Sequence, residues 1–257
     1  MVKFDIEKNR SFLKQVLKNH KKYDLSIDTI LEGKIGNIFV NNNNNPEIFF
    51  LTTGPFYILA GNHQHKEAKR MLSNLPKKIT VQPSTKEWNE TLEKIYNDKL
   101  IIYPRYSFSS KHISIDQLNH KLNAHKYINR FKRIDKESIL LLEKDNNFSF
   151  HLSTFNSTDN FLKYGIGFIY KINNRIVGCV SSALVCKKGI EININVLPEY
   201  RRLGYAKLLA SQMILYCYEN NLMPHWDAAN PISYKLAESL GYKNTGFYFA
   251  YYLKDQL

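Results

Sequence analysis

Residues 190–206 constrain the fold more than any other part of the chain. Ile190-Glu191-Ile192-Asn193-Ile194-Asn195-Val196 alternates apolar and polar residues, the period of a half-buried strand. From Ala206 through Tyr218, the apolar residues Leu208, Leu209, Met213, Ile214 and Cys217 recur at spacings of three and four, which predicts a helix. Between them stands Pro198-Glu199-Tyr200-Arg201-Arg202-Leu203-Gly204-Tyr205. A strand therefore turns into a helix through a short loop. Such a loop aims the first backbone N–H groups of the helix, and the positive end of its dipole, past the strand tip. A glycine there leaves no Cβ to block an approaching anion, so the chemistry is that of a phosphate grip. The dinucleotide loop G-x-G-x-x-G and the triphosphate loop G-x-x-x-x-G-K-[ST] are both absent from this segment.

What is present is Arg201-x-x-Gly204-x-Ala206, preceded by Val196-x-Pro198. It resembles the pyrophosphate-binding motif Q/R-x-x-G-x-G/A of the GNAT superfamily of acyl-CoA-dependent N-acyltransferases. A matching second half follows in Trp226-Asp227-Ala228-Ala229-Asn230, then Ser233, Leu236, Ala237, Leu240, Gly241 and Tyr242. In that superfamily a strand ends at an asparagine and leads to a short helix closed by Leu-Gly-Phe or Leu-Gly-Tyr. Here Asn230 suits the N-cap, Pro231 the first helical position and Gly241 the residue after the C-cap. Residues from about 161 to 253 resemble a GNAT core. Gly165-Ile166-Gly167-Phe168, Gly189-Ile190-Glu191-Ile192, Pro198-Glu199-Tyr200-Arg201 and Trp226-Asp227-Ala228 are similar, more narrowly, to a two-part bacterial subfamily that includes the zwittermicin A self-resistance acetyltransferase. The resemblance implies an α/β (α+β) fold with a mixed, splayed central sheet flanked by helices. It also implies two parts, an N-terminal α/β half over 1–130 and a catalytic domain over 131–257.

Composition supports a packed chain without a membrane span. Of 257 residues, 44% are hydrophobic, enough for one large or two modest cores, yet no apolar run reaches the ~20 residues that cross a bilayer. The first residues are charged and lack the apolar centre of a signal peptide, so a cytoplasmic location is expected. Cys179, Cys186 and Cys217 are too sparse for a disulfide framework or a metal site and read as small core residues. The net charge of +13 is uneven: residues 1–130 hold 21 Lys/Arg against 12 Asp/Glu, and residues 131–257 hold 15 against 11. That excess would attract a polyanionic ligand or nucleic acid, but no basic-plus-aromatic nucleic-acid module accompanies it.

The first half reads as a mixture of helices and strands. An apolar stripe of Phe4, Phe12, Leu13, Val16 and Leu17 predicts a helix over 4–20. Two apolar runs, 38–40 and 48–51, flank Asn41 to Asn45 and predict a hairpin with a long tip. Strands are expected at 56–60 and 100–103, and helices at 63–75, 87–97 and 116–122, with residues 127–134 leading into the second half. No R-x-x-G-x-G/A loop occurs in this half. It resembles a degenerate copy of the same fold that does not bind the donor in that manner. No Pro-, Gly- or Ser-rich linker separates the halves.

Amine acetylation needs a polarised thioester carbonyl, an uncharged amine and a route for its proton. By the resemblance, the backbone of Asn195, Val196 and Leu197 polarises the carbonyl and pairs with the pantetheine arm. The amides of Arg201, Arg202, Leu203, Gly204, Tyr205 and Ala206, with Lys207, meet the pyrophosphate of acetyl-CoA, and Asn230 also contacts this donor. Glu191 shares one strand face with Asn193 and Asn195 and is the leading general base. A half-buried carboxylate there would have a raised pKa suited to that task. Asp227, at the tip of the next strand, is a second acidic candidate, as base or as a ligand for the acceptor's amine. Many members carry a tyrosine seven residues after the asparagine as general acid, where this chain has Ala237. Tyr234, Tyr205 or unaided departure of the thiolate fills that role. His63, His65, His112, His120 and His125 lack partners at metal-ligand spacing and read as surface residues, so no metal is expected. Two other classes remain open, a non-catalytic acyl-CoA-binding module and a nucleic-acid-binding protein using the basic half. Neither they nor the residues name the acceptor beyond an amine, small metabolite or amino-bearing antibiotic.

Overall fold

A computed structural model describes residues 1–20, 23–124 and 130–253. In chain order the first elements are β1 (Val2–Lys3), α1 (Arg10–Leu17), α2 (Asp24–Leu31), β2 (Asn37–Val40), β3 (Ile48–Thr53), β4 (Phe56–Gly61), α3 (Ala68–Ser73), β5 (Ile79–Pro83), α4 (Lys86–Tyr96) and β6 (Leu100–Ser109). After α5 (Ile115–Asn123) the same succession of strands and helices recurs. It runs β7 (Phe131–Arg133), α6 (Lys136–Lys144), α7 (Thr158–Tyr164), β8 (Gly167–Ile172), β9 (Arg175–Cys186), β10 (Gly189–Val196), α8 (Tyr205–Glu219), β11 (Met223–Ala228), α9 (Pro231–Ser239) and β12 (Lys243–Leu253). The compact units do not follow that succession. One comprises Met1–Pro104 with the segment from Phe249, the other Arg105–Tyr248, whereas the halves expected from sequence meet at 130/131. Pairing explains the change: β6 is bonded to β11 at Phe108↔Trp226, Ser107↔Asp227 and Tyr106↔Ala228, and β12 ends on β5 at Tyr251↔Val81 and Leu253↔Ile79.

In the first unit β1 to β5 lie side by side in sequence order, antiparallel except for the parallel β4–β5 pair. The β2–β3 hairpin has the long tip expected, stitched by Asn41 Oδ1, which accepts from the N–H groups of Glu47 and Ile48. β4 and β5 stay together to the end of β5, Leu59↔Pro83 being followed by Ser84 N–H donating to Leu59 O. Two helices are shorter than the stripe predicts. Residues 2–3 pair with β2, so the helix expected over 4–20 begins at Arg10; of the one expected over 63–75 only Ala68–Ser73 is helical. The core gathers Phe50, Leu59, Met71, Leu72, Trp88, Leu92, Tyr96 and Tyr251. Trp88 is fully buried, with its Nε1 donating to Gly61 O and its ring edge-on to Phe50. Trp88→Ala is expected to cost about 3–5 kcal/mol of stability, read as a lowered denaturation midpoint.

In the second unit the order is β6–β11–β10–β9–β8–β7, with β10–β11 the parallel pair. α8 packs across β8, β9, β10 and β11, and Gly178 of β9 lets it lie close: a Cβ there would come within 2.6 Å of Leu209. α9 carries the expected signals at both ends. Asn230 Oδ1 accepts from Ser233 N–H, Pro231 stands at the first helical position, and Gly241 is left-handed at φ +97°. Tyr242 N–H then bonds to Ala237 O and Gly241 N–H to Glu238 O, the double closure that a left-handed residue after a helix allows. The three cysteines are buried, as expected. His125 and residues 127–129 lie outside the described residues.

Candidate active site

The parallel pair β10–β11 is the geometric origin of the site. The strands pair only at Gly189↔Met223, Ile190↔Pro224 and Glu191↔His225; beyond that β10 continues along β9 while β11 turns to β6. A register shift against β9 between Glu191 and Ile192 marks the point of divergence. The resulting wedge opens along residues 192–196 on one side and 226–228 on the other. The β4–β5 pair of the first unit has no such opening.

Strand alternation decides which peptide groups line the wedge. Met223 N–H donates to Lys188 O across the closed end, so residues 188, 190, 192, 194 and 196 direct their peptide groups toward β11. Leu197 N–H donates to Val177 O, so Leu197 faces β9, and by alternation so does Asn195 two residues earlier. Of the three residues expected to offer backbone to the donor, Val196 therefore presents its peptide group to the opening, with Ile192 and Ile194 beside it. Asn195 lends its side chain elsewhere, Nδ2 donating to Asn147 O at 2.7 Å.

The loop after β10 has the form the sequence predicts. Residues Pro198–Tyr200 make one tight turn, Arg202 is left-handed at φ +62°, and Gly204 is left-handed at φ +85° immediately before α8. A non-glycine residue in that region, as at Arg202, is held against its steric preference, a strain that clusters at ligand sites. At Gly204 a Cβ would enter open space, with no protein atom within 4 Å. The N–H groups of Tyr205, Ala206 and Lys207 have no acceptor among the described residues, as the first turn of a helix dictates. Leu203 is 62% exposed at the loop's tip. Arg201 braces the loop, its Nε donating to Val196 O at 3.0 Å. Beside the loop lies a hollow of about 230 Å³ lined by Lys121, Leu203, Gly204, Lys207, Leu208 and Ser211. Burial, reinforced by Lys121, lowers the Lys207 pKa. These features fit a diphosphate: unpaired amides, a helix dipole, an unobstructed glycine and two ammonium groups. Lys121, from the helix between the two successions, was invisible to a local motif search.

At the closed end of the wedge stands Glu191. Its carboxylate accepts from Asp227 N–H, while its Oε1 is closed to solvent and has no hydrogen-bond partner among the described residues. Were the strands to continue as a parallel pair, Asp227 N–H would meet the carbonyl of Ile192. The Glu191 side chain takes that place, so it both caps the ladder and keeps the strands apart. Burial pushes the Glu191 carboxyl up to about 8; the Asp227 carboxylate adds to the rise, and Arg105 and the Asp227 N–H oppose it.

Asp227 is fully engaged. Arg105 Nε donates to its Oδ1 at 2.6 Å and Tyr248 Oη to its Oδ2 at 2.6 Å, with Arg105 Nη2 at 3.4 Å from its carbonyl. The ion-paired side chains are each 16% exposed. Burial works against the Arg105 charge, but Asp227, Tyr248 and Glu191 outweigh it and raise its pKa. Neither Arg105 nor Tyr248 was found by sequence reasoning. Tyr234 lies on α9 with its ring edge-on to Tyr106 and Phe108, at 5.1 and 5.0 Å. Tyr205 packs on Tyr170 and Tyr200 at the start of α8. Asn230 is spent on the helix cap. His63 and His65 are half-buried rather than on the surface, His63 against Thr91 and Trp88. Among the described residues no cluster of His, Cys, Asp or Glu could hold a metal ion, and no helix is long and apolar enough to cross a membrane.

A mixed sheet opened at a parallel pair, with a glycine turn leading into the helix that crosses it, is the architecture of an N-acetyltransferase core. Residues 15–251 match the family model described as GNAT acetyltransferase, and the chain belongs to that family of N-acetyltransferases. It is 29% identical over 227 residues to YdfB, an uncharacterised N-acetyltransferase of Bacillus subtilis (strain 168), covering 84% of this chain and 85% of that one. The crystal structure of a GCN5-related N-acetyltransferase-like protein from Streptococcus suis 89/1591 is similar with a TM-score of 0.77 at 27% identity, over 92% of this chain and 99% of that chain. A GCN5-related N-acetyltransferase from Kribbella flavida, 8% identical, shares the fold with a TM-score of 0.59 over 90% of this chain and 94% of its own.

Proposed function

We propose that this enzyme moves an acetyl group from acetyl-CoA directly to a primary amine of a small metabolite or an amino-bearing antibiotic, in the cytoplasm. The observation that carries this reading is the juxtaposition of the open wedge, closed by the Glu191 carboxyl, with a left-handed glycine turn into α8. Bound acetyl-CoA would supply the acetyl group as an activated thioester. The amides of residues 202–206 and the ammonium groups of Lys207 and Lys121 hold its diphosphate end. The peptide groups of Ile192, Ile194 and Val196 offer a strand edge for its amide-bearing arm, and the free N–H of Val196 polarises the carbonyl. Arg201 keeps the loop on the strand end. Glu191, in its ionised form, takes the proton from the acceptor's amine, directly or through water. Tyr234, on the helix that follows β11, is our choice for protonating the leaving thiolate.

The halves expected at 1–130 and 131–257 are read here as two copies of one succession, the first a degenerate copy without donor-binding function. The repeated element order supports this, and so does the β4–β5 pair, which stays closed to the end of β5. That organisation is the basis for grouping the chain with the two-part subfamily that includes the zwittermicin A self-resistance acetyltransferase. The test is calorimetric titration with acetyl-CoA followed by thiol release over a panel of primary amines. Saturable binding together with turnover of at least one amine is expected. Tight binding without turnover on any of them would favour a non-catalytic acyl-CoA-binding module.

A further inference from the structure

We propose that Arg105 and Tyr248 are positioning residues for the acetyl transfer: they hold Asp227 in place beside Glu191, so that Asp227 orients the base through its N–H. The inference rests on the reading of Glu191 as the base. Three observations lead to it. Both carboxylate oxygens of Asp227 are occupied, Oδ1 by Arg105 and Oδ2 by Tyr248, each at 2.6 Å. The one carboxylate oxygen at the wedge without a partner among the described residues is Oε1 of Glu191. Arg105 and Asp227 stand on adjacent strands whose register, Ser107↔Asp227 and Tyr106↔Ala228, puts Arg105 beside the last residues of β11, so the pair is built into the sheet rather than into a loop.

Division of labour follows from the chemistry. The Asp227 carboxylate already accepts from a guanidinium and a phenol, so both of its oxygens are committed to those donors. The neighbouring Glu191 carboxyl has an open oxygen and is the one left to take the proton. The titratable groups around Glu191 are Asp227 and His225 on β11, Arg105 on β6, Tyr248 on β12 and Tyr242 after α9, the last donating to Pro224 O. Burial holds the His225 pKa down, and burial first among several causes holds that of Tyr242 up, so both are neutral through the range in which Glu191 titrates.

The test compares titration midpoints of Glu191, followed by carbon-13 NMR of its carboxyl in the full chain and assigned by loss of the signal in Glu191→Gln. Asp227→Asn removes the neighbouring negative charge and is expected to move the midpoint down by about one pH unit or more; Arg105→Met removes the positive charge and is expected to move it up. Arg105→Lys restores the charge and returns the midpoint toward that of the unaltered protein. The double variant Arg105→Met/Asp227→Asn removes the ion pair as a whole, and is expected to keep the fold and to fall between the two singles. With the fastest amine of the panel, Tyr248→Phe is expected to lower kcat on the order of tenfold while leaving the KM for acetyl-CoA unchanged. Opposite movements for Asp227→Asn and Arg105→Met support the inference. Equal midpoints in all variants, or a titrating Asp227 carboxyl near neutrality, overturn it. Full activity of Glu191→Gln would instead remove the base assignment, a failure visible separately from the NMR midpoints.

Discussion

Glu191→Gln is expected to slow acetyl transfer by about 10²–10⁴-fold while acetyl-CoA binds as it does to the unaltered enzyme. Glutamine is close in shape and can still accept from Asp227 N–H through its amide oxygen, so the wedge stays open and the loss belongs to proton transfer. On the proposed reading Glu191 acts as base when ionised. With its carboxyl raised to about 8, the rate with a given amine should climb through that pH and level off above it. In Glu191→Gln this limb disappears. Stability moves the other way. A carboxyl whose folded pKa lies above its unfolded value binds more protons in the folded state, so it contributes stability at low pH that is lost as pH rises through the folded pKa. The variant should therefore lose less stability than the unaltered protein between pH 7 and 9, measured by denaturant titration at each pH. Unchanged turnover with an unchanged pH profile would leave Glu191 as a wedge alone.

Gly204→Asp should weaken acetyl-CoA binding by at least about 10²-fold. Each charge-assisted hydrogen bond from the loop is worth ~1.5–3 kcal/mol, and a carboxylate about 4 Å from a phosphate adds repulsion of up to about 4 kcal/mol near a protein surface. Losing about 3 kcal/mol already corresponds to the stated factor. The side chain would enter the space that is empty of protein within 4 Å, so it meets the ligand rather than the fold. Gly204→Ala separates the contributions. It bears the cost of a left-handed non-glycine residue, roughly 1–2 kcal/mol, without the charge, and should bind acetyl-CoA more tightly than the aspartate variant. Equal affinity of all three proteins, by calorimetry, would place the diphosphate elsewhere.

Much of the second unit was legible because its signals are local. The alternation of 190–196, the helical spacing after Ala206 and the caps Asn230, Pro231 and Gly241 each need only neighbours within a few residues. The site's polar interior was not. Pro104 reads as the end of a strand, yet β6 runs from Leu100 to Ser109 and carries Arg105 into the sheet. A lone arginine among apolar and aromatic strand residues is a signal that could have been used, since a buried cation requires a counter-charge. Its partner, Asp227, lies far along the chain, and only strand pairing joins them. The parity of β10 was equally hidden: alternation tells which side chains share a face but not which peptide groups face a neighbouring strand. That distinction made Val196, rather than Asn195 or Leu197, the residue open to the wedge.

The crossing of β6 and β12 between the compact units has a consequence for how the chain matures during synthesis. Most multidomain proteins complete an amino-terminal domain while the rest is still being made. Here β5 gains its outer neighbour only when Tyr251 to Leu253 arrive, long after Ile79 to Val81 have left the ribosome. Until then the first unit carries an open sheet edge, the kind of surface that recruits foreign strands. The first unit's sheet is thus completed only when the end of β12 has been made.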